Sequence, residues 1–124
     1  MEPTKKALLA THVNDPSFNT SVRRSLLGYE LTAAATVEEA LKLCAGTQYD
    51  AYVIEANLGH PRQDDITGFR QIYDTLRAQG VQGLEQRMVG FSSTQGALDA
   101  VEDLGIPTVY KPDLGLYLSR HFRG

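Results

Sequence analysis

The sequence predicts an α/β fold, a five-stranded parallel sheet with helices on both faces. Short apolar runs alternate along the chain with stretches whose apolar residues recur at helical spacing, the pattern of strand–helix units. Three of those runs end on residues that carry chemistry: Ile54 leads into Glu55, Phe91 into Ser92-Ser93, and Tyr110 into Lys111-Pro112. Strands of a parallel sheet place their C-terminal ends along one edge, so a carboxylate, hydroxyls and a lysine are expected together there.

The elements follow in order. Lys6 to Ala10 reads as a short buried strand. Asn14-Asp15-Pro16 opens a helix, with a polar cap and then proline where a missing N–H costs least. Phe18, Val22, Leu26 and Leu27 fall near helical spacing, and Gly28 supplies the stop. Tyr29 to Ala34 is a second strand. Thr36-Val37-Glu38-Glu39 has the form of a capping box, and its helix runs through Ala40, Leu41 and Cys44 to Gly46.

The third strand spans Asp50 to Glu55, followed by a polar loop from Asn57 to Thr67. Asp64 and Asp65 are expected to solvate that loop or cap the next helix. Phe69, Ile72, Tyr73 and Leu76 mark the third helix, closed near Gly80, and residues 81–87 are expected to form a connector. Met88–Phe91 is the fourth strand. Ala97, Leu98, Val101 and Leu104 give a short fourth helix, and Pro107–Tyr110 a fifth strand. Leu114, Leu116, Tyr117, Leu118 and Phe122 lie on a last short helix. Five such units in 124 residues make residues 1–124 one domain.

Composition excludes several classes of function. Lys plus Arg number 12 against 15 Asp plus Glu, a net charge of −3 that leaves no nucleic-acid footprint. No apolar run approaches the ~20 residues of a membrane helix. The apolar stretch after Lys5-Lys6 is too short for a signal peptide. The single cysteine, Cys44, has no disulfide partner within the chain, which fits a reducing cytoplasm, and it is expected to pack on a helix face. There is no glycine-rich phosphate loop, no G-x-S-x-G elbow and no catalytic Cys-His context.

The order of elements, the carboxylate at residue 55 and Lys111-Pro112 after the fifth strand together resemble the receiver domain of two-component response regulators. The likeness covers essentially the whole chain and implies the flavodoxin-like fold. In that family an aspartate accepts a phosphoryl group, and an acidic pair after the first strand helps to hold Mg²⁺. Glu55 stands at the acceptor position. Counting back from Gly28 puts Thr11 and His12 at the acidic pair, and a shifted register would offer Asn14 and Asp15. Magnesium favours carboxylate ligands, and in-line phosphoryl transfer does not tolerate a misplaced acceptor. Ser92 and Lys111 match the family's hydroxyl and lysine. Thr108 falls where receivers carry the aromatic side chain that swings inward on activation.

The resemblance therefore implies a stand-alone pseudo-receiver, a non-enzymatic cytoplasmic protein-interaction module with neither cofactor nor metal. Its partner is expected to be another signalling protein, with no direct contact to nucleic acid or membrane. The contact region implied by the family is the surface of the fourth helix, fifth strand and fifth helix, with Tyr110, Leu116, Tyr117 and Phe122. A homodimer through the same face stays open. For Glu55 the residues suggest an ion pair with Lys111, and the alternative is a built-in phosphomimetic pushed toward Lys111 and Ser92. A small-ligand binder using the strand-end crevice is a further alternative. A metal site from His12, His60 and Glu55 matches no motif, and Tyr110 is expected to serve packing rather than switching.

Overall fold

Strand β1 (Lys5–Ala10) pairs in parallel with β2 (Tyr29–Ala34) on one side and β3 (Ala51–Glu55) on the other. Strands β4 (Met88–Ser92) and β5 (Thr108–Tyr110) complete an all-parallel sheet of order β2-β1-β3-β4-β5. The computed structural model describes residues 5–12, 15–59 and 64–122. Helices α1 (Pro16–Ser25), α2 (Val37–Gly46), α3 (Thr67–Ala78), α4 (Gln95–Glu102) and α5 (Leu114–His121) make the crossovers and the C-terminal cover. This is the flavodoxin-like arrangement expected from the alternating pattern.

Side-chain alternation along the strands divides the core into two layers. Ala7, Leu9, Ala51, Val53, Val89 and Phe91 meet α1 and α5 through Val22, Leu26, Leu114 and Leu118. Leu8, Ala10, Tyr52, Ile54 and Met88 meet α2, α3 and α4 through Ala40, Cys44, Phe69, Ile72, Leu76, Ala97 and Val101. Both faces are covered, so the buried stretches Ala7–Ala10, Ala51–Ile54 and Met88–Phe91 run without alternating polar residues. Gly90 in β4 is a packing device: a Cβ there would lie 2.9 Å from Val101 Cγ1 and 3.3 Å from the Phe69 ring. Its absence lets α3 and α4 close on the sheet.

The helix starts follow the local chemistry. Asp15 caps α1, its Oδ1 accepting from the Ser17 N–H at 2.9 Å, and Pro16 takes the first turn. Asn14, the other half of the expected cap, lies outside the described residues. Thr36 Oγ1 accepts from the Glu39 N–H at 3.1 Å, while Glu39 reaches back to the Ala35 N–H at 3.2 Å, one residue before the N-cap. Asp65 accepts from the Thr67 N–H at 2.8 Å and from its hydroxyl, a local turn ahead of α3. Asp64 leans instead against α4, its carboxylate filling the place of a side chain at Gly96.

Three expectations need correction. The 81–87 connector contains a helical turn, Leu84–Arg87, entered through Gly83 at φ +65° and anchored by buried Leu84. Leu27 is not on the buried stripe; α1 ends at Ser25, Gly28 turns the chain at φ +88°, and Leu27 is exposed. Phe122 follows α5 and is only 7% exposed, because Leu114, Leu118 and Phe122 share the i, i+4, i+8 face that meets the sheet. Cys44 is buried as expected, and burial pushes its thiol up to about 11, which keeps it out of thiolate chemistry.

Candidate functional site

The C-terminal ends of β1, β3, β4 and β5 surround a cleft of about 510 Å³ lined by His12, Glu55, Asn57, Ser92, Ser93, Thr94 and Lys111. Parallel pairing brings them there, since Ala10 lies beside Ile54, Glu55 beside Phe91 and Ser92 beside Tyr110 in the register. Each chemistry-bearing residue at the end of its strand thus reaches the same edge. Glu55, His12, Ser92 and Lys111, all singled out from sequence, are brought together here, and Thr11 adjoins them through Glu55.

Glu55 is 3% exposed, and its carboxylate is turned toward β1. Oε1 accepts from Thr11 Oγ1 at 3.1 Å and from the His12 N–H at 3.0 Å, and His12 Nδ1 contacts the same oxygen. A buried carboxylate needs such donors, because an unpaired charge out of water is costly. The expected ion pair with Lys111 does not form. The Lys111 ammonium lies over the Phe18 ring, 5.4 Å from its centroid, in cation–π geometry. Phe18 in turn packs on Phe91 with centroids 5.6 Å apart, so the lysine is held by the α1 side of the core. The orientation toward Lys111 and Ser92 that a phosphomimetic requires is absent as well.

Ser92 serves a local structure and lines the cleft. Its Oγ accepts from the Thr94 N–H at 2.9 Å, the tight turn that introduces α4, and donates to Asn57 Oδ1 at 3.2 Å. Asn57 is the residue that sequence reading left as an ordinary loop position. It is 3% exposed and part of the cleft wall. The available signal was its place two residues past Glu55, at the mouth of a strand-end crevice. Thr108 points elsewhere, donating from Oγ1 to Glu102 Oε1 at 2.9 Å at the end of α4.

The residues do not suit a hard divalent cation. Thr11 and His12 occupy the positions expected for an acidic pair, Glu55 Oε1 is taken by their donors, and Asp15 is committed to capping α1. Among the described residues no three His, Cys, Asp or Glu side chains converge in a metal-binding group. His60, part of the metal alternative, lies outside the described residues. His12 also separates this cleft from a second one of about 390 Å³ bordered by Thr36, Gly59, Gly68 and Gln71.

Of the expected contact residues, Tyr110 and Leu116 are 50% and 58% exposed. Tyr117 is half-buried, stacked on the His121 ring at 4.2 Å, and burial raises its phenol. Phe122 belongs to the core and drops out of the surface. Among the described residues no helix is long and apolar enough to cross a membrane.

No family model matches the chain, and no curated protein does. Solved structures do. A response regulator from Burkholderia pseudomallei, determined with a phosphorylated aspartic acid, calcium ion and citrate, superposes with TM-score 0.67 at 22% identity. The match covers 96% of this chain and 66% of that one. A response regulator receiver protein from Pseudoalteromonas atlantica gives 0.65 at 19% identity, over 94% and 92% of the two chains. The receiver domain of a Francisella response regulator gives 0.63 at 20% identity, over 95% and 96%. The chain thus has the fold of response regulator receiver domains.

Proposed function

We propose that this chain is a pseudo-receiver: a protein-interaction module of two-component-type signalling that works without phosphoryl transfer and is not an enzyme. The observation that carries the reading is the state of Glu55. The receiver fold places a carboxylate at the acceptor position, yet that carboxylate is buried and bound by Thr11 and His12, residues that offer no hard-metal site. Phosphoryl transfer depends on a metal to neutralise developing charge and on an aligned acceptor, and a buried Glu55 bound by Thr11 and His12 supports a chain that does without both. What remains is a folded surface. Tyr110 and Leu116 present exposed apolar area on the β5–α5 side, Tyr110 being of a type enriched at interface anchors, and a second copy of the chain is one partner for it.

Two measurements test this. Incubation with Mg²⁺ and acetyl phosphate should leave the intact mass unchanged, and a phosphoryl adduct at residue 55 would overturn the proposal. Once a signalling partner is identified by affinity capture, Leu116→Ser should weaken binding by at least about tenfold, or ~1.4 kcal/mol. Glu55→Gln should change it by less than about threefold. The phosphomimetic alternative requires the reverse ranking.

A further inference from the structure

At the end of the sheet opposite the strand-end cleft, the last turns of α1 and α5 lie side by side. Arg24, Ser25 and Leu27 meet Ser119 and Phe122 there around a hollow of about 230 Å³. The hollow opens along α1 into a groove of about 560 Å³ that passes Thr20 and Ser21, with Arg24, Ser25 and Ser119 bordering both. Gly115 lets the two helices approach this closely, since a Cβ there would lie 3.2 Å from Ser25 Oγ.

Packing does not account for two features of this end. The first is Leu27, which is 75% exposed. It is held outward by a closed turn: the Tyr29 N–H donates to the Leu26 carbonyl at 3.1 Å, and Gly28 sits at φ +88°. The second is a group of exposed arginines, Arg23 and Arg24 in the last turn of α1 and Arg120 in the last turn of α5. Among the described residues none of the three takes part in an ion pair or lies over an aromatic ring. Cations suit helix C-termini, which accounts for their sign but not for the leucine among them. No carboxylate lines the hollow or the groove, in a chain whose net charge is −3.

We infer that this end of the α1–α5 pair is a docking surface for an acidic, partly apolar segment of another protein. An apolar side chain of that segment seats in the hollow against Leu27 and Phe122, and its carboxylates meet Arg23, Arg24 and Arg120. Guanidinium forks bind carboxylates through paired N–H donors, and complementary charge sets encounter rate and partner choice. A chain segment is the fitting occupant because the site is concave and elongated. A bilayer needs a broad apolar face, and the apolar face of α1 is turned to the sheet through Val22 and Leu26. Neither Tyr110 nor Leu116 lines the site, so it adds a second contact to the proposed interaction module.

Fluorescence anisotropy with a short fluorescein-labelled peptide of alternating glutamate and leucine tests it, beside the same peptide with glutamine for glutamate. Saturable binding is expected for the acidic peptide alone, weakening as sodium chloride rises. Arg24→Glu should weaken it by at least about tenfold and Leu27→Ser by at least about threefold. Arg70→Glu, the same charge change on α3 across the sheet, and Tyr110→Ser should each change it by less than about twofold. Arg24→Gln repeats the comparison if Arg24→Glu fails to fold. Absence of saturation, equal binding of the glutamine peptide, or as large a loss with Arg70→Glu or Tyr110→Ser overturns the site. Sedimentation of the chain with phosphatidylserine vesicles in place of peptide binding also overturns it, and assigns the surface to a membrane. No phosphodonor enters any arm, so this surface and the phosphoryl-free reading fail independently.

Discussion

On the β1 side of the strand-end cleft, Glu55 is enclosed by Thr11 and His12, whose donors meet its Oε1. On the β5 side, Lys111 reaches over an aromatic ring and Asn57 accepts from the Ser92 hydroxyl. One wall is satisfied from within and serves stability. The other takes its partners from an aromatic face and a local turn. The fold puts acid and base within one cleft, but it does not oblige them to pair. A half-buried lysine can take its partner from a π face, and a carboxylate can take its own from the backbone and side chains of the adjacent strand.

The comparison breaks most easily at Glu55. Replacing it with leucine keeps bulk but leaves the Thr11 hydroxyl and the His12 N–H without their acceptor, and should cost about 2–4 kcal/mol in urea denaturation. Glu55→Gln retains an oxygen and should cost about half of that. A loss near zero for Glu55→Leu would mean that the β1 wall is not the stabilising one.

Ser92→Ala comes next. It removes the acceptor for the Thr94 N–H and the donor to Asn57, and should cost about 1–2 kcal/mol. Lys111→Met should cost less, about 0.5–1 kcal/mol, because its contact among the described residues is a cation–π one at a partly exposed site. A double-mutant cycle sharpens the contrast further. Glu55→Gln with Lys111→Met should be additive to within about 0.5 kcal/mol, whereas Glu55→Gln with His12→Ala should show coupling above that. Reversed couplings would restore the pairing of Glu55 with Lys111. The smallest effect belongs to Gly96→Ala. The new Cβ would sit 2.4 Å from the Asp64 carboxylate, an exposed group that can move aside, so the change should stay under about 1 kcal/mol by thermal denaturation.

Much of this molecule is written in local pattern. The alternation of apolar runs with helical spacing determined the order of strands and helices, and the parallel sheet followed because each helix must return the chain to the same end. That geometry alone was enough to place Glu55, Ser92 and Lys111 on one edge and Thr11 and His12 beside them. Helix starts at Asp15 and Thr36 were equally legible, since a cap is a bond between residues two or three apart. Tertiary structure decided which partner each group took. Glu55 shares its cleft with both His12 and Lys111, and its Oε1 meets the β1 side while Lys111 takes the ring of Phe18. Asn57 acquired its place only when the turn after β3 folded against Ser92, and Phe122 became core only when α5 settled on the sheet. Periodicity states which residues share a face. The partner across the gap depends on distances between elements far apart in the chain, and those exist only once the layers have packed.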